Sequence, residues 1–353
     1  MRKFLTALLA SIAAVSMLTG CANTPAAAPP QGSSSSASAG GSTTTGGNIS
    51  HSAGFTLTKD VEFVVPYSAG GGSDINARAM AQIMKTQKLV DKNILIINKP
   101  GGTGAVGNSY TFSKKGDAHT LMTWVSGQQA ATVVNKADVM LKDLTPIATL
   151  AVDSFLILVK ADSEFKTFDD LVKAAKENPD KVTIGGAGAT QEDYLIHHLI
   201  NKHAGAKLKY VTFNSGGEAL TGLIGGHIDV MSSNPNEVIA QIEAGQLRAL
   251  AATSEERLSS PLEQVPSFKD LGYPGIQLTQ FRAVAGPPGM PPEAVKHWEG
   301  VFKQIHESKE WQDNYIKKYN LKSEYKNAEE SKKYFEEALN KYLDIHKEMA
   351  PRN

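Results

Sequence analysis

Four glycine-rich turns carry the chemistry this sequence can offer. They are Pro66-Tyr67-Ser68-Ala69-Gly70-Gly71-Gly72-Ser73-Asp74, Asn98-Lys99-Pro100-Gly101-Gly102-Thr103-Gly104-Ala105-Val106-Gly107-Asn108, Gly185-Gly186-Ala187-Gly188-Ala189-Thr190 and Asn214-Ser215-Gly216-Gly217. Each follows an apolar run and precedes a helical pattern. The first N–H groups of a helix have no partner within it, and the helix dipole is positive there. Glycine removes the Cβ that would hold an anion away from the backbone. One such turn is ordinary in an α/β protein. Four, divided between the two halves of the chain, point to a shared anionic ligand.

Other chemistries fit less well. Gly102-x-Gly104-x-x-Gly107 has the spacing of a dinucleotide fingerprint, but the next strand ends Trp124-Val125-Ser126-Gly127 without the expected acid. The first turn lacks the Gly-Lys-Ser/Thr of a phosphate-binding P-loop. His197, His198 and His203 share a helix without the spacing of a metal site. There is no Gly-x-Ser-x-Gly elbow. Asp74 reads as a helix-capping acid beside the cleft, or as a general base. No metal, cofactor or catalytic residue is expected.

The elements around these turns alternate. Strands are expected at 61–65, 94–97, 121–125, 155–159, 182–185, 208–213, 227–231 and 247–252. Helices are expected at 74–88, 107–115, 167–176, 192–203, 218–224 and 235–244. Thr167 and Asp170 form a capping box, as do Asn327 and Glu330 before the last helix. Pro291-Pro292 opens another helix. Strand–helix alternation predicts α/β layers with mostly parallel sheets.

The chain has 353 residues, 36 basic and 36 acidic, with 41% apolar content. That length suits two domains behind a leader. Near-neutral charge leaves no electrostatic footprint for nucleic acid. Arg2 and Lys3 precede an apolar stretch to Leu18 and then Leu18-Thr19-Gly20-Cys21, with the sole cysteine. The stretch is short for a membrane span and reads as an export signal. Residues 22 to 54 are almost entirely Ala, Pro, Ser, Gly and Thr. A segment of that kind cannot offset its ordering entropy by burial, and its reach as a tether is about 30 Å.

Leu-Thr-Gly-Cys resembles the bacterial lipobox, which implies lipidation at Cys21. The folded part resembles the solute receptors of tripartite tricarboxylate transporters. The similarity rests on Val64–Asp74 with Ala77-Arg78, on Asn98–Gly107, on Asp117-Ala118-His119-Thr120-Leu121, on Tyr210–Ala219, on Gly226-His227-Ile228-Asp229 and on Ala285–Pro291. His119, Thr212 and Phe213 depart from the usual residues.

This resemblance implies a two-lobed type II periplasmic-binding-protein fold with a cleft between the lobes. Residues 1–20 would be the lipoprotein signal peptide and 21–57 the lipidated cysteine and tether. Residues 58–156 plus 279–353 would form lobe 1, and 157–278 lobe 2. The implied ligand is a small carboxylate, a di- or tricarboxylate or a related organic acid. Tyr67, Ser68, Gly70, Gly71, Asp74, Gly104, Ala105 and Gly107 would bind it from lobe 1. Ala187, Gly188, Ala189, Thr190, Asn214, Ser215 and Gly216 would face them. Arg78 lies inside a helix, whereas Arg282 could reach the cleft. The implied partners are integral membrane transporter subunits and, through the N-terminal lipid, the membrane itself. A monomer held outside the cytoplasm, at the cell surface or in the periplasm, is expected. Two rivals stay open: an exported hydrolase using Asp74 and a histidine, and a receptor for an amino acid or a phosphonate.

Overall fold

The computed structural model describes residues 55–349, so the expected signal peptide, Cys21 and most of the expected tether lie outside the described residues. The tether's expected end does not hold: Leu57 is buried, and Phe55 packs on the same core. Both are large apolar residues whose burial offsets the loss of chain freedom.

Two sheets organise the chain. The first contains β1 (Val61–Val65), β2 (Ile94–Asn98), β3 (Thr120–Val125) and β4 (Thr145–Asp153). Helices α1 (Gly72–Thr86), α2 (Ala105–Ser113) and α3 (Ser126–Val134) follow β1, β2 and β3. The chain then crosses into the second sheet, built from β5 (Leu156–Lys160), β6 (Thr183–Ala187), β7 (Lys209–Phe213), β8 (Val230–Ser233) and β9 (Leu247–Ala252). Its helices are α4 (Phe168–Glu177), α5 (Glu192–Ala204), α6 (Gly216–Ile224) and α7 (Pro235–Glu243). The chain returns as β10 (Gln280–Gly286). It ends with α8 (Pro292–Glu307), the single turn α9 (Lys309–Trp311), β11 (Lys322–Lys326) and α10 (Ala328–Met349).

Strand order is β11-β4-β10-β3-β1-β2 in the first sheet and β7-β6-β8-β5-β9 in the second. This is the two-lobed type II arrangement, with the same order of strands in each lobe. The parallel pairings expected from alternation hold among β1, β2 and β3 and among β6, β7 and β8. The sheets as wholes are mixed, because β10 and β5 pair antiparallel with both neighbours. A parallel neighbour needs a crossover helix to carry the chain back. A strand arriving from the other lobe has no such crossover and inserts in the opposite sense.

Every residue of β3 and β10 is buried, as suits strands covered on both faces. The core of lobe 1 gathers Phe63, Trp298, Phe302 and Trp311, and that of lobe 2 Phe168, Leu195, Ile196 and Phe268. Helix α10 belongs to both. Phe335 packs against Phe281 in lobe 1, while Tyr342 joins the lobe 2 core and His346 meets the Thr190 carbonyl oxygen at 3.0 Å. The expected assignment of the whole C-terminal segment to lobe 1 therefore describes only the first half of α10. Its apolar face continues past the point where the first sheet ends.

Candidate functional site

The cleft lies where the N-termini of helices from both lobes approach one another. Its walls include Tyr67, Gly71, Gly72 and Ser73 from lobe 1 and Ala187, Ser215 and Gly216 from lobe 2. Each helix begins there because a strand of its sheet ends at the cleft. Gly70 adopts φ +85°, and Gly188 φ +72°, so both turns use backbone that L side chains rarely adopt. The Ser215 hydroxyl caps α6 by accepting the Glu218 N–H at 3.3 Å.

Asp74 holds the first turn together. Its carboxylate accepts the Gly70 N–H at 3.0 Å, Asn98 Nδ2 at 3.0 Å and Arg78 Nε at 2.8 Å. Burial pushes its carboxyl up, but these three donors, Arg78 foremost, bring it below the usual carboxylate range. The side chain therefore faces its own loop rather than the cleft. Asn98 also donates to the Tyr67 carbonyl oxygen at 3.0 Å, tying the second turn to the first.

The other expected site residues divide into groups. Tyr67, Gly71, Ala187, Ser215 and Gly216 line the inner cleft. Gly104, Gly188, Ala189 and Asn214 line a neighbouring cavity at its mouth, with Tyr67 and Gln191 common to both. Ser68 spans the lobes, its hydroxyl donating to Glu218 Oε1 at 3.1 Å. Gly107 is a packing residue: a Cβ there would lie 2.5 Å from Pro66 Cβ. Ala105 begins α2 beside it, and neither it nor Gly70 lines the cleft. Thr190 stands behind the turn, with its carbonyl oxygen toward His346 and its hydroxyl 3.4 Å from Asn135 Nδ2.

Most of the cleft's charge comes from residues outside the glycine turns. Arg282 on β10 is 2% exposed, and its Nε meets Asp153 Oδ2 at 2.8 Å. Glu192 and Asp193 open α5, and Glu237 lies in the first turn of α7. Glu192 Oε1 accepts the Gly127 N–H at 2.6 Å and the Tyr342 hydroxyl at 3.2 Å. Asp193 Oδ2 accepts the Ala187 N–H at 2.7 Å. Glu237 accepts the Gly72 N–H through one oxygen and the Ser233 hydroxyl, at 2.7 Å, through the other. Burial raises the pKa of all three, and repulsion from Glu237 and Glu192 adds to the rise at Asp193.

Cross-lobe contacts close the cleft. Gln191 Nε2 donates to the Tyr67 hydroxyl, and Asn236 Nδ2 approaches the Gly72 carbonyl oxygen at 3.3 Å. The free space left inside suits a few waters. Among the described residues, no group of three or more His, Cys, Asp and Glu is arranged to hold a metal ion.

Sequence reasoning singled out Arg282 but missed Gln191, Glu192, Asp193 and Glu237. The signal was present in part, since Gln191-Glu192-Asp193 directly follows the third glycine turn. Glu237 follows Pro235 in a helix's first turn, where an acid is already favoured by the helix dipole.

Known proteins align with this architecture. A family model described as "Tripartite tricarboxylate transporter family receptor" matches residues 77–350. A UPF0065 protein of Cupriavidus necator is 28% identical over 286 residues, which is 80% of this chain and 85% of that protein. The periplasmic binding protein BugD superposes with a TM-score of 0.77 at 21% identity, covering 83% of this chain and 98% of BugD. MatC from Rhodopseudomonas palustris, with bound malate, gives 0.74 at 21% identity, covering 82% of this chain and 99% of MatC. The two structures share the fold, and the match over 77–350 extends through both lobes and the cleft between them: the chain belongs to the tripartite tricarboxylate transporter receptor family.

Proposed function

We propose that this protein is an extracytoplasmic receptor that closes on a small carboxylate and delivers it to a membrane transporter of the tripartite tricarboxylate type. One observation carries the reading. The first turns of α1 and α3 each bind a carboxylate arriving from the opposite lobe, Glu237 on Gly72 and Glu192 on Gly127. These helix ends are thus built to hold carboxylates across the cleft. MatC, which shares the fold, has malate bound.

The hydrolase alternative loses support from the same geometry. Asp74 is engaged by three donors, and His197 turns to the Leu208 carbonyl oxygen at 2.8 Å. A thermal-shift screen of mono-, di- and tricarboxylates, amino acids and phosphonates tests the receptor. A hit should compact the protein in solution scattering and be recovered unchanged by mass spectrometry. Turnover of the compound, or saturation without compaction, would sink the proposal.

The remaining parts of the proposal concern placement. Cys21 carries the lipid anchor, the 22–54 tether holds the body near the membrane, and the protein works as a monomer. Lobe 1 comprises about 58–156 and 279–353, lobe 2 about 157–278, with α10 strapping both. Cys21→Ser should leave an unlipidated precursor with its signal peptide retained. Processing and membrane retention like wild type would refute the anchor.

A further inference from the structure

Strand β2 is an outer edge of the first sheet and pairs with β1 alone. The phase of that ladder is set at its two ends. The Val61 N–H donates to the Asn93 carbonyl oxygen at 2.9 Å, and the Lys99 N–H donates to the Val65 carbonyl oxygen at 2.8 Å. Bonding residues alternate along a pleated strand, so Leu95 and Ile97 also turn their main chain to β1. The main-chain groups of Ile94 and Ile96 turn outward, and among the described residues nothing bonds them from that side. Edge strands are ordinarily blunted by a charge, a proline or a bulge. Ile94-Leu95-Ile96-Ile97-Asn98 has none of these, pairs in unbroken register and leaves Leu95 46% exposed.

A groove runs along this edge, walled by one face of α1, where Arg78, Gln82 and Lys85 stand at helical spacing. Lys88 and Lys92 complete its rim, against one lining acid, Asp91. Arg78 and Lys92 are paired with Asp74 and Asp91. Lys85 and Lys88 are exposed and have no carboxylate partner among the described residues. Of the acids just beyond the groove, Asp60 is bonded to Asn93 and Glu310 to Thr86. The surplus of positive charge disfavours a second copy, which would bring the same cations. It also disfavours residues 22–54 of this chain, which contain no Asp or Glu. We infer that this edge is a docking site at which an extended, acidic segment of a partner polypeptide adds a seventh strand to the first sheet. Main-chain bonds to Ile94 and Ile96 supply the affinity, and alternate side chains supply the specificity. Ile94 and Ile96 pack on the core that α1 covers. Every second side chain of the added strand therefore lies on the α1 side, toward Lys85, and those positions are the acidic ones. The groove shares no lining residue with the cleft, so the site stands apart from the receptor reading.

Amide-resolved NMR on the intact protein, titrated with the peptide acetyl-Glu-Val-Glu-Val-Glu-Val-Glu-amide, tests this inference. The expected result is slowed exchange at the Ile94 and Ile96 amides, with those of Leu95 and Ile97 protected from the start. The same peptide with Lys in place of Glu, and one with its acids gathered in a single block, should each bind about ten-fold weaker or less. Lys85→Glu with Lys88→Asn should weaken the acidic peptide by a similar factor. Asn suits position 88, where φ is +53°. Melting curves establish that the variant is folded, and loss of affinity in wild type at raised ionic strength gives a second reading of the charge match. Failure of the acidic peptide to bind, or binding that leaves the Ile94 and Ile96 amides unchanged, would overturn the inference. Equal affinity for the acidic and basic peptides would overturn it too. Slow exchange at Ile94 and Ile96 before any peptide is added would show the edge already covered, by this chain in a monomer or by a second copy in a dimer. Either result would also overturn the inference, and both leave the cleft's function untouched.

Discussion

Arg282 and Asp153 form a buried ion pair where the chain crosses between lobes, Arg282 near the start of β10 and Asp153 at the end of β4. Beside it, Asn234 ties the two crossings to one another. Gln280 Nε2 donates to Asn234 Oδ1 at 2.8 Å, and Asn234 Nδ2 donates to the Ser154 carbonyl oxygen at 2.9 Å. Burial works against the charge on Arg282, but the Tyr315 oxygen, Asp153 and Glu237 raise its pKa above the ordinary guanidinium value. Burial pushes Asp153 up to about 6 despite the pull of Arg282. The crossing region is therefore polar and buried, and it borders the candidate cleft.

Removing one member of this pair should be more damaging than removing both. Arg282→Met strands Asp153 in the interior, and the expected loss of unfolding free energy is about 3–5 kcal/mol. Adding Asp153→Leu should restore most of that loss, since a buried pair and an apolar replacement are often equivalent. Urea unfolding of the two variants decides it. A single variant with near-normal stability would mean that the pair does not anchor the crossing.

Asp74→Asn should loosen the first turn and weaken ligand binding without abolishing folding. Its salt bridge to half-exposed Arg78 contributes little, about 0–1 kcal/mol. The bonds from Gly70 and Asn98 are the larger part, so a total loss of about 1–2 kcal/mol is expected. The depressed pKa fixes the sign of the pH effect. Wild-type stabilisation from Asp74 is present above the ordinary carboxylate pKa and is lost as pH falls through the lower folded value. Below that point, melting temperatures of wild type and Asp74→Asn should converge. A gap that persists there would assign the effect to shape alone.

Asp193 predicts the opposite slope. Its folded pKa is raised, so the folded state holds its proton where the unfolded chain has released it. Its favourable contribution is present below the unfolded value and is lost as pH rises through the folded one. Half-buried His197, His198, His306 and His346 have lowered pKa values and act against this trend at the acid end. The comparison is therefore between wild type and Asp193→Asn, in which the histidines cancel. Wild type should gain stability relative to the variant as pH falls from 7.5 toward 4.5, in the absence of ligand. Parallel curves would show that Asp193 does not titrate in the fold.

Gly188→Val should cut ligand affinity at least ten-fold, about 1.4 kcal/mol. The position has φ +72°, and a Cβ there would lie 2.6 Å from Gln191 Oε1. Gln191 is the residue that meets Tyr67 across the cleft. Gly71→Val has milder surroundings, with Ser215 Cβ at 3.4 Å, so its effect should come from blocking the cleft rather than from strain. Calorimetry separates the two from a folding defect when melting is followed in parallel. Unchanged affinity in both variants would remove these turns from the site.

The periodic parts of this fold are readable because they obey local rules. Thr167 and Asp170 form the capping box that their spacing predicts, and Asn327 and Glu330 do the same before α10. The glycine turns are legible for the same reason, since no other residue type leaves the backbone open. Long-range relationships leave no such mark. A strand reading Gln280-Phe281-Arg282-Ala283-Val284-Ala285-Gly286 has an arginine where a central strand wants an apolar side chain, and only Asp153, 129 residues earlier, explains it. Glu237 is equally silent: its partner Gly72 lies 165 residues away, and a first-turn acid has a sufficient local reason to be there.

Proton exchange on binding is the last prediction, and it distinguishes the two kinds of ligand by sign. In the empty cleft, burial raises the pKa values of Glu192, Asp193 and Glu237, so they hold a share of protons that an exposed carboxyl would release. An ammonium favours the ionised form of each acid it meets. Binding such a ligand must then release protons, and affinity should rise with pH up to neutrality. A ligand bearing carboxylates alone would favour the protonated acids, take protons up and bind more tightly as pH falls. Titrations near pH 6 in buffers of different ionisation enthalpy measure the number and direction directly. Uptake on binding a di- or tricarboxylate is the expected outcome. Release, or an apparent enthalpy independent of the buffer, would mean that these three acids do not meet the ligand's negative charge.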